Sequence, residues 1–148
     1  MNFQAAPKST LARQMQRGEL LDVNCPSREV LKHLTSRWGV LVLIALSQGT
    51  HRFSELRRKV GGVSEKMLAQ TLSCLEEDGL VIRQSLPVMP PHVQYSLSGL
   101  GLEVGAIVEH LADWIETHLP QIMQARREAD ALAVPDAAMV SRTGSARR

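Results

Sequence analysis

The stretch SEKMLAQTLSCLEEDGL, residues 64–80, reads as a capped helix, its stop and the first residue of the next element. At 100° per residue Leu68, Leu72 and Leu75 stack on one stripe, which marks the face turned to a core. Lys66, Gln70, Ser73 and Glu77 fall opposite, flanked by Met67, Ala69 and Cys74, so one strip is left for solvent or a partner. Ser64 suits the N-cap of this helix and Gly79 its C-terminal cap.

Just upstream, a helix from about Phe53 to Val60 puts Phe53, Leu56 and Val60 on one face and Arg57, Arg58 and Lys59 largely elsewhere, and Gly61 and Gly62 end it with a turn. Two helices across a tight glycine turn make a helix-turn-helix candidate. Before them, SRWGVLVLIALSQG is aliphatic all round, which predicts a helix in the centre of the core. NCPSREVLKHL, with Pro26 in a first turn and Val30, Leu31 and Leu34 at helical spacing, predicts a short amphipathic helix. On the other side, LVIRQS and HVQYSLS alternate as two strands, and Pro87, Pro90 and Pro91 crowd their connection into a stiff hairpin tip. A long helix then runs from about Leu100 toward His118, with a stripe of Leu102, Ile107, Val108, Leu111, Trp114 and Ile115. Pro120 is expected to interrupt or restart it.

The chain has 148 residues, 44% of them hydrophobic, enough for about one domain with a real core. A loose N-terminal arm is expected over residues 1–23, a single domain over 24–119, and a helical extension with a disordered tail over 120–148. The N-terminus lacks the apolar run of a secretory signal, and Gly39 to Leu46 is far short of the roughly 20 residues that span a bilayer. Two cysteines, Cys25 and Cys74, make no disulfide framework. These features predict a soluble, cytoplasmic protein with no membrane partner.

Catalytic readings find no support. Histidines 33, 51, 92, 110 and 118 include no i, i+4 pair, there is no CxxC, and no glycine-rich loop follows a strand. No enzyme, metal or cofactor is therefore expected. The net charge is only +2, but residues 51–60 set Arg52, Arg57, Arg58 and Lys59 against the single Glu55. That local excess turns attention to a polyanion.

The order of four helices, a hairpin and a helix is what a winged helix-turn-helix needs: mainly α with a small β-hairpin wing, the fourth helix entering the major groove. Lys66 can then meet a guanine edge or a phosphate and Gln70 an adenine, while Met67 and Ala69 can press on a thymine methyl. Ser64 and, less directly, Thr71 can face phosphate. Glu76, Glu77 and Asp78 would be repelled, so only the first half of the helix should approach DNA. Arg57 and Arg58 are candidate phosphate anchors, and Arg83 and His92 are candidate wing contacts.

Through CPSREVLKHLTSRWGVLVLIAL, RFSELRRKVGGVSEKMLAQTLSCLEEDGLVIR, PPHVQYSL and ADW, in that order, the chain resembles the HxlR family of bacterial winged-helix regulators, near the MarR-like regulators. The match covers about residues 25–116. It implies a homodimer binding double-stranded DNA, expected to act as a repressor, although no residue separates repression from activation. Where the family usually has a basic residue after the paired prolines this chain has His92, mostly uncharged at neutral pH, which weakens that contact. Some members with a cysteine just ahead of the proline resemble sensors of oxidants or electrophiles. At Cys25 a helix N-terminus and Arg28 would favour the reactive thiolate, the alternative being an inert packing residue, so a small electrophile or oxidant is a candidate effector. Cys74 reads as a packing residue.

Dimerisation through the terminal helices rests on area as well as resemblance, with Val30, Leu31, Leu34, Ile107, Leu111, Trp114 and Ile115 as the candidate interface and an inverted-repeat operator as its consequence. Two alternatives stay open: a winged-helix module that binds protein, and a constitutive DNA-binding regulator without thiol sensing.

Overall fold

The computed structural model of the chain describes residues 21–133. Eight elements follow in order: α1 (Pro26–Thr35), α2 (Arg37–Ser47), β1 (His51–Arg52), α3 (Phe53–Lys59), α4 (Glu65–Glu77), β2 (Val81–Leu86), β3 (His92–Leu97) and α5 (Gly99–Ala133). The arm expected over 1–23 lies outside the described residues up to residue 20, and the expected tail lies outside them from residue 134.

Ser36 sets the first corner. Its extended backbone (φ −64°, ψ 145°) ends α1, and its hydroxyl accepts the Gly39 amide at 3.1 Å to cap α2. The two helices meet at a 70° bend. From there α2 runs through the core, burying Val42, Leu43, Ala45 and Leu46 against Leu56 and Val60, against Leu68, Leu72 and Leu75 of α4, and against Val81, Tyr95 and Val108. The aliphatic sequence of α2 predicted burial all round, but Leu41 stays 38% exposed, because the neighbouring elements do not close over that side.

The end of α4 shows why its sequence stops where it does. Gly79 adopts φ 75°, a left-handed conformation that costs glycine little. There its amide donates to the Glu76 carbonyl and the Leu80 amide to the Leu75 carbonyl, both at 2.9 Å. This paired arrangement satisfies carbonyls that the helix end would leave bare, and it turns buried Leu80 into the core.

Three strands form the sheet, in order β1-β3-β2 and antiparallel throughout. The sequence predicted the β2–β3 hairpin; β1 is an addition. Two residues carry no alternation to detect, and His51 and Arg52 become a strand only because Tyr95 and Gln94 of β3 pair with them.

Pro120 does not interrupt the last helix, which continues from Gly99 to Ala133 with the proline inside. A proline removes one amide donor, here the partner of the Glu116 carbonyl, and Glu116 is exposed, so water can take that place. By its contacts the chain divides into two units, Met1–Glu109 and His110–Arg148. The first holds the core. In the second, Trp114 stacks on His118 at 4.4 Å and the His118 ring bonds to the Trp114 carbonyl at 2.8 Å. Among the described residues no single helix is long and apolar enough to cross a membrane.

Candidate nucleic-acid interface

The helix-turn-helix is built from α3, a turn over residues 60–64, and α4. Leu56 and Val60 hold α3 to the core, Gly62 takes φ 86° in the turn, and Val63 is buried beneath it. Ser64 then caps α4, its hydroxyl accepting the Met67 amide at 3.1 Å. Because Leu68, Leu72 and Leu75 are between 0 and 1% exposed, the rotation of α4 about its axis is fixed. What remains outside is Glu65, Lys66, Met67, Ala69 and Gln70 on the first two turns, then Ser73, Glu76 and Glu77.

Several candidate residues have partners of their own. Arg57 is joined to Glu65 at 2.8 Å, which ties α3 to the first turn of α4 and sets a carboxylate in competition with any phosphate. Arg58 is exposed and has no ion-pair partner among the described residues. Thr71 is half-buried and donates its hydroxyl to the Met67 carbonyl at 2.7 Å, so it must turn away from that bond before it can donate to a phosphate. Lys59 donates to His51 Nε2 at 3.2 Å, while His51 Nδ1 lies 2.7 Å from the Gly49 carbonyl. A carbonyl only accepts, so this network assigns the ring hydrogen to Nδ1.

On the wing, Arg83 is exposed and faces Tyr95 in register, and His92 opens β3 opposite Leu86, half-buried. Cys25 is the N-cap residue of α1 and only 8% exposed. The cation expected to act on it is turned elsewhere, since Arg28 donates to the Leu21 carbonyl at 3.0 Å. Cys25 lines an open hollow of about 320 Å³ with Asp22, Asn24 and Pro26. Both cysteines are free.

The candidate dimer residues divide in two. Ile107 is 69% exposed, Leu111 49%, Trp114 52%, Ile115 42%, Leu31 43% and Val30 37%, whereas Leu34 is half-buried against the core.

The sequence reading passed over His33. Its Nδ1 meets Asp78 at 2.6 Å and its Nε2 meets Glu29 at 3.3 Å, linking α1 to the end of α4 with side chains less than a fifth exposed at His33 and Asp78. The i, i+4 spacing of Glu29 and His33 was visible in the sequence; the partner from α4 was not. Asp78 is therefore an internal tie rather than a free charge facing DNA, and the repulsion expected of the acidic end falls to Glu76 and Glu77.

Residues 33–123 match the family model described as HxlR-like helix-turn-helix. The HTH-type transcriptional regulator YtfH of Escherichia coli K12 is 60% identical over 119 residues, which are 80% of this chain and 94% of that one. A solved structure of YtfH from Salmonella typhimurium, 65% identical, superposes with a TM-score of 0.70 over 73% of this chain and 96% of its own. The redox regulator HypR in its reduced form, 29% identical, does so with a TM-score of 0.62 over 67% and 98%.

Proposed function

The chain belongs to the HxlR-like helix-turn-helix family of transcriptional regulators, DNA-binding proteins and not enzymes, and on that premise we propose that it acts in the cytoplasm as a homodimeric repressor on an inverted-repeat operator. One observation carries the reading: Lys66, Met67, Ala69 and Gln70 stand exposed on a capped helix whose opposite face is locked in the core. Lys66 and Gln70 read base edges in the major groove, Met67 and Ala69 meet thymine methyls, and Ser64 at the start of the helix lies along phosphate, with Thr71 farther along the helix a less direct contact. Arg58 anchors the backbone, as does Arg57 once phosphate displaces Glu65, and Arg83 and His92 hold the flank.

The partner is a second copy, joined through Ile107, Leu111, Trp114 and Ile115 with Val30, Leu31 and Leu34. A two-fold pair places the recognition helices about 34 Å apart, one turn of DNA. Cys25 is the proposed effector site: its thiol adds to a quinone, an S–C bond forming as the thiol proton passes to the ring to leave a hydroquinone adduct, or joins a second thiol in a disulfide as an oxidant such as diamide takes up both hydrogens, and the N-terminus of α1 shifts to admit the change. The likeness to a redox regulator supports this, as does the hollow that Cys25 helps to line.

The test is fluorescence anisotropy on the chain's own upstream DNA and on duplexes selected from a random library. Binding should weaken steeply with salt. Gln70→Ala should cost about 1 to 3 kcal/mol on the selected site and relax base preference, whereas Arg58→Ala should weaken all sequences alike. Salt-insensitive binding, or identical behaviour of the two variants, would overturn the assignment. Diamide or quinone should change the affinity of the wild type and leave Cys25→Ser unaltered; equal responses would remove Cys25 as the switch.

A further inference from the structure

Leu86 pairs with His92, so the tip of the wing is residues 87–91, PVMPP. Three of its five residues are prolines, which fix φ and carry no amide donor. The tip is stiff for that reason, and its backbone offers only the amides of Val88 and Met89. Its side chains are apolar and outside: Met89 is 96% exposed and Val88 46%. No Asp or Glu occurs between Asp78 and Glu103, and the basic side chains of the hairpin are Arg83 and His92. A rigid apolar point on a stem free of carboxylates suits a partner that is anionic at its rim and apolar within. The minor groove of duplex DNA, bordered by phosphates and floored by stacked bases, has that character, whereas an acidic protein surface would engage the stem and leave the point idle.

We propose that the wing tip is a minor-groove wedge, with Met89 pressing between two base pairs beside the segment read by α4 and Arg83 on the adjoining phosphate. The inference rests on the reading of the chain as a DNA-binding regulator and adds to it a residue that sets specificity without a base hydrogen bond. Apolar side chains in the minor groove partly unstack a base step and kink the duplex, and the wider contact offsets the unstacking. Methionine fits the task, because its unbranched thioether adapts to an irregular gap. Steps such as TA unstack most easily and A-tracts resist, so the flank is selected by its deformability.

The experiment uses a duplex selected from a random library by the full-length wild-type protein, remade with either a TA step or an A-tract in the flank and with 2-aminopurine at the step. Binding should brighten the 2-aminopurine and favour the TA flank by about tenfold. Met89→Ala should lose both effects with its melting temperature and the salt dependence of binding unchanged, and Met89→Leu should keep them. Retention of brightening and flank preference in Met89→Ala overturns the wedge. Tight wild-type binding without either effect also overturns it, and leaves the tip to a protein partner. A wild type that selects no duplex overturns the DNA-binding reading itself, and the wedge with it.

Discussion

Of α4 and α5, both amphipathic, only α4 has its apolar stripe covered among the described residues. On α4 the leucines at 68, 72 and 75 are sealed between α2 and the sheet. On α5 the residues that look equally like a core, Ile107, Leu111, Trp114 and Ile115, remain between 42 and 69% exposed. Apolar patterning therefore says that a face will be covered, and says nothing about whether the cover comes from the same chain. A helix that reads DNA has to be held by its own fold before the ligand arrives. A helix that joins subunits, the role proposed for α5, keeps its apolar side for the partner.

The contrast can be broken or sharpened by substitution. Leu72→Ala should have the largest effect, about 3 to 5 kcal/mol of lost stability in denaturant unfolding, because a fully buried leucine leaves a cavity. A loss under 1 kcal/mol would mean that α4 is not locked as described. Gly101→Ala tests the start of α5, where an added Cβ would collide with the Leu80 carbonyl. Backbone must move to admit it, at about 1 to 3 kcal/mol. If melting is unchanged, the close packing of α5 on the exit of α4 is wrong.

Trp114→Ala should do little to the core and much to assembly, raising the dimer dissociation constant by at least about tenfold in sedimentation, as loss of a large aromatic from an interface does. An unaltered dimer would move the interface away from α5. Ser64→Ala should be the mildest, about 1 kcal/mol for the lost cap. It should also weaken DNA binding, since the first turn of α4 is the part proposed to face the groove; full affinity would detach the cap from recognition.

Local signals made most of this legible in the sequence. The stripe of Leu68, Leu72 and Leu75, the serine before it and the glycine after it each act within a few residues, and each has its expected place in the fold. What the sequence hid depends on distance along the chain. β1 exists only because β3 pairs with it, and His33 becomes a tie only because the end of α4 brings Asp78 to it. The exposure of Leu41 and the continuity of α5 through Pro120 are also decided by surroundings, namely which neighbours are missing and whether water can reach a carbonyl. At the candidate interface, the sequence put Arg57 largely off the apolar face of α3 and offered Thr71 as a phosphate contact. It could not show that Glu65 and the Met67 carbonyl already hold them.

Ser98 carries a last consequence. Its amide donates to the Leu80 carbonyl at 3.0 Å, its hydroxyl donates to the Gly79 carbonyl at 2.6 Å, and the same oxygen accepts the Gly101 amide at 3.1 Å. The chain leaves α4 at the point to which it returns, so the wing is a closed detour with both ends pinned. Length or composition at the far end can change without disturbing the junction. If the wing tip sets a flank preference as proposed, such a regulator can in descent acquire a different one by rewriting five residues at the tip, while the helix proposed to read the operator and the scaffold that aims it are inherited intact.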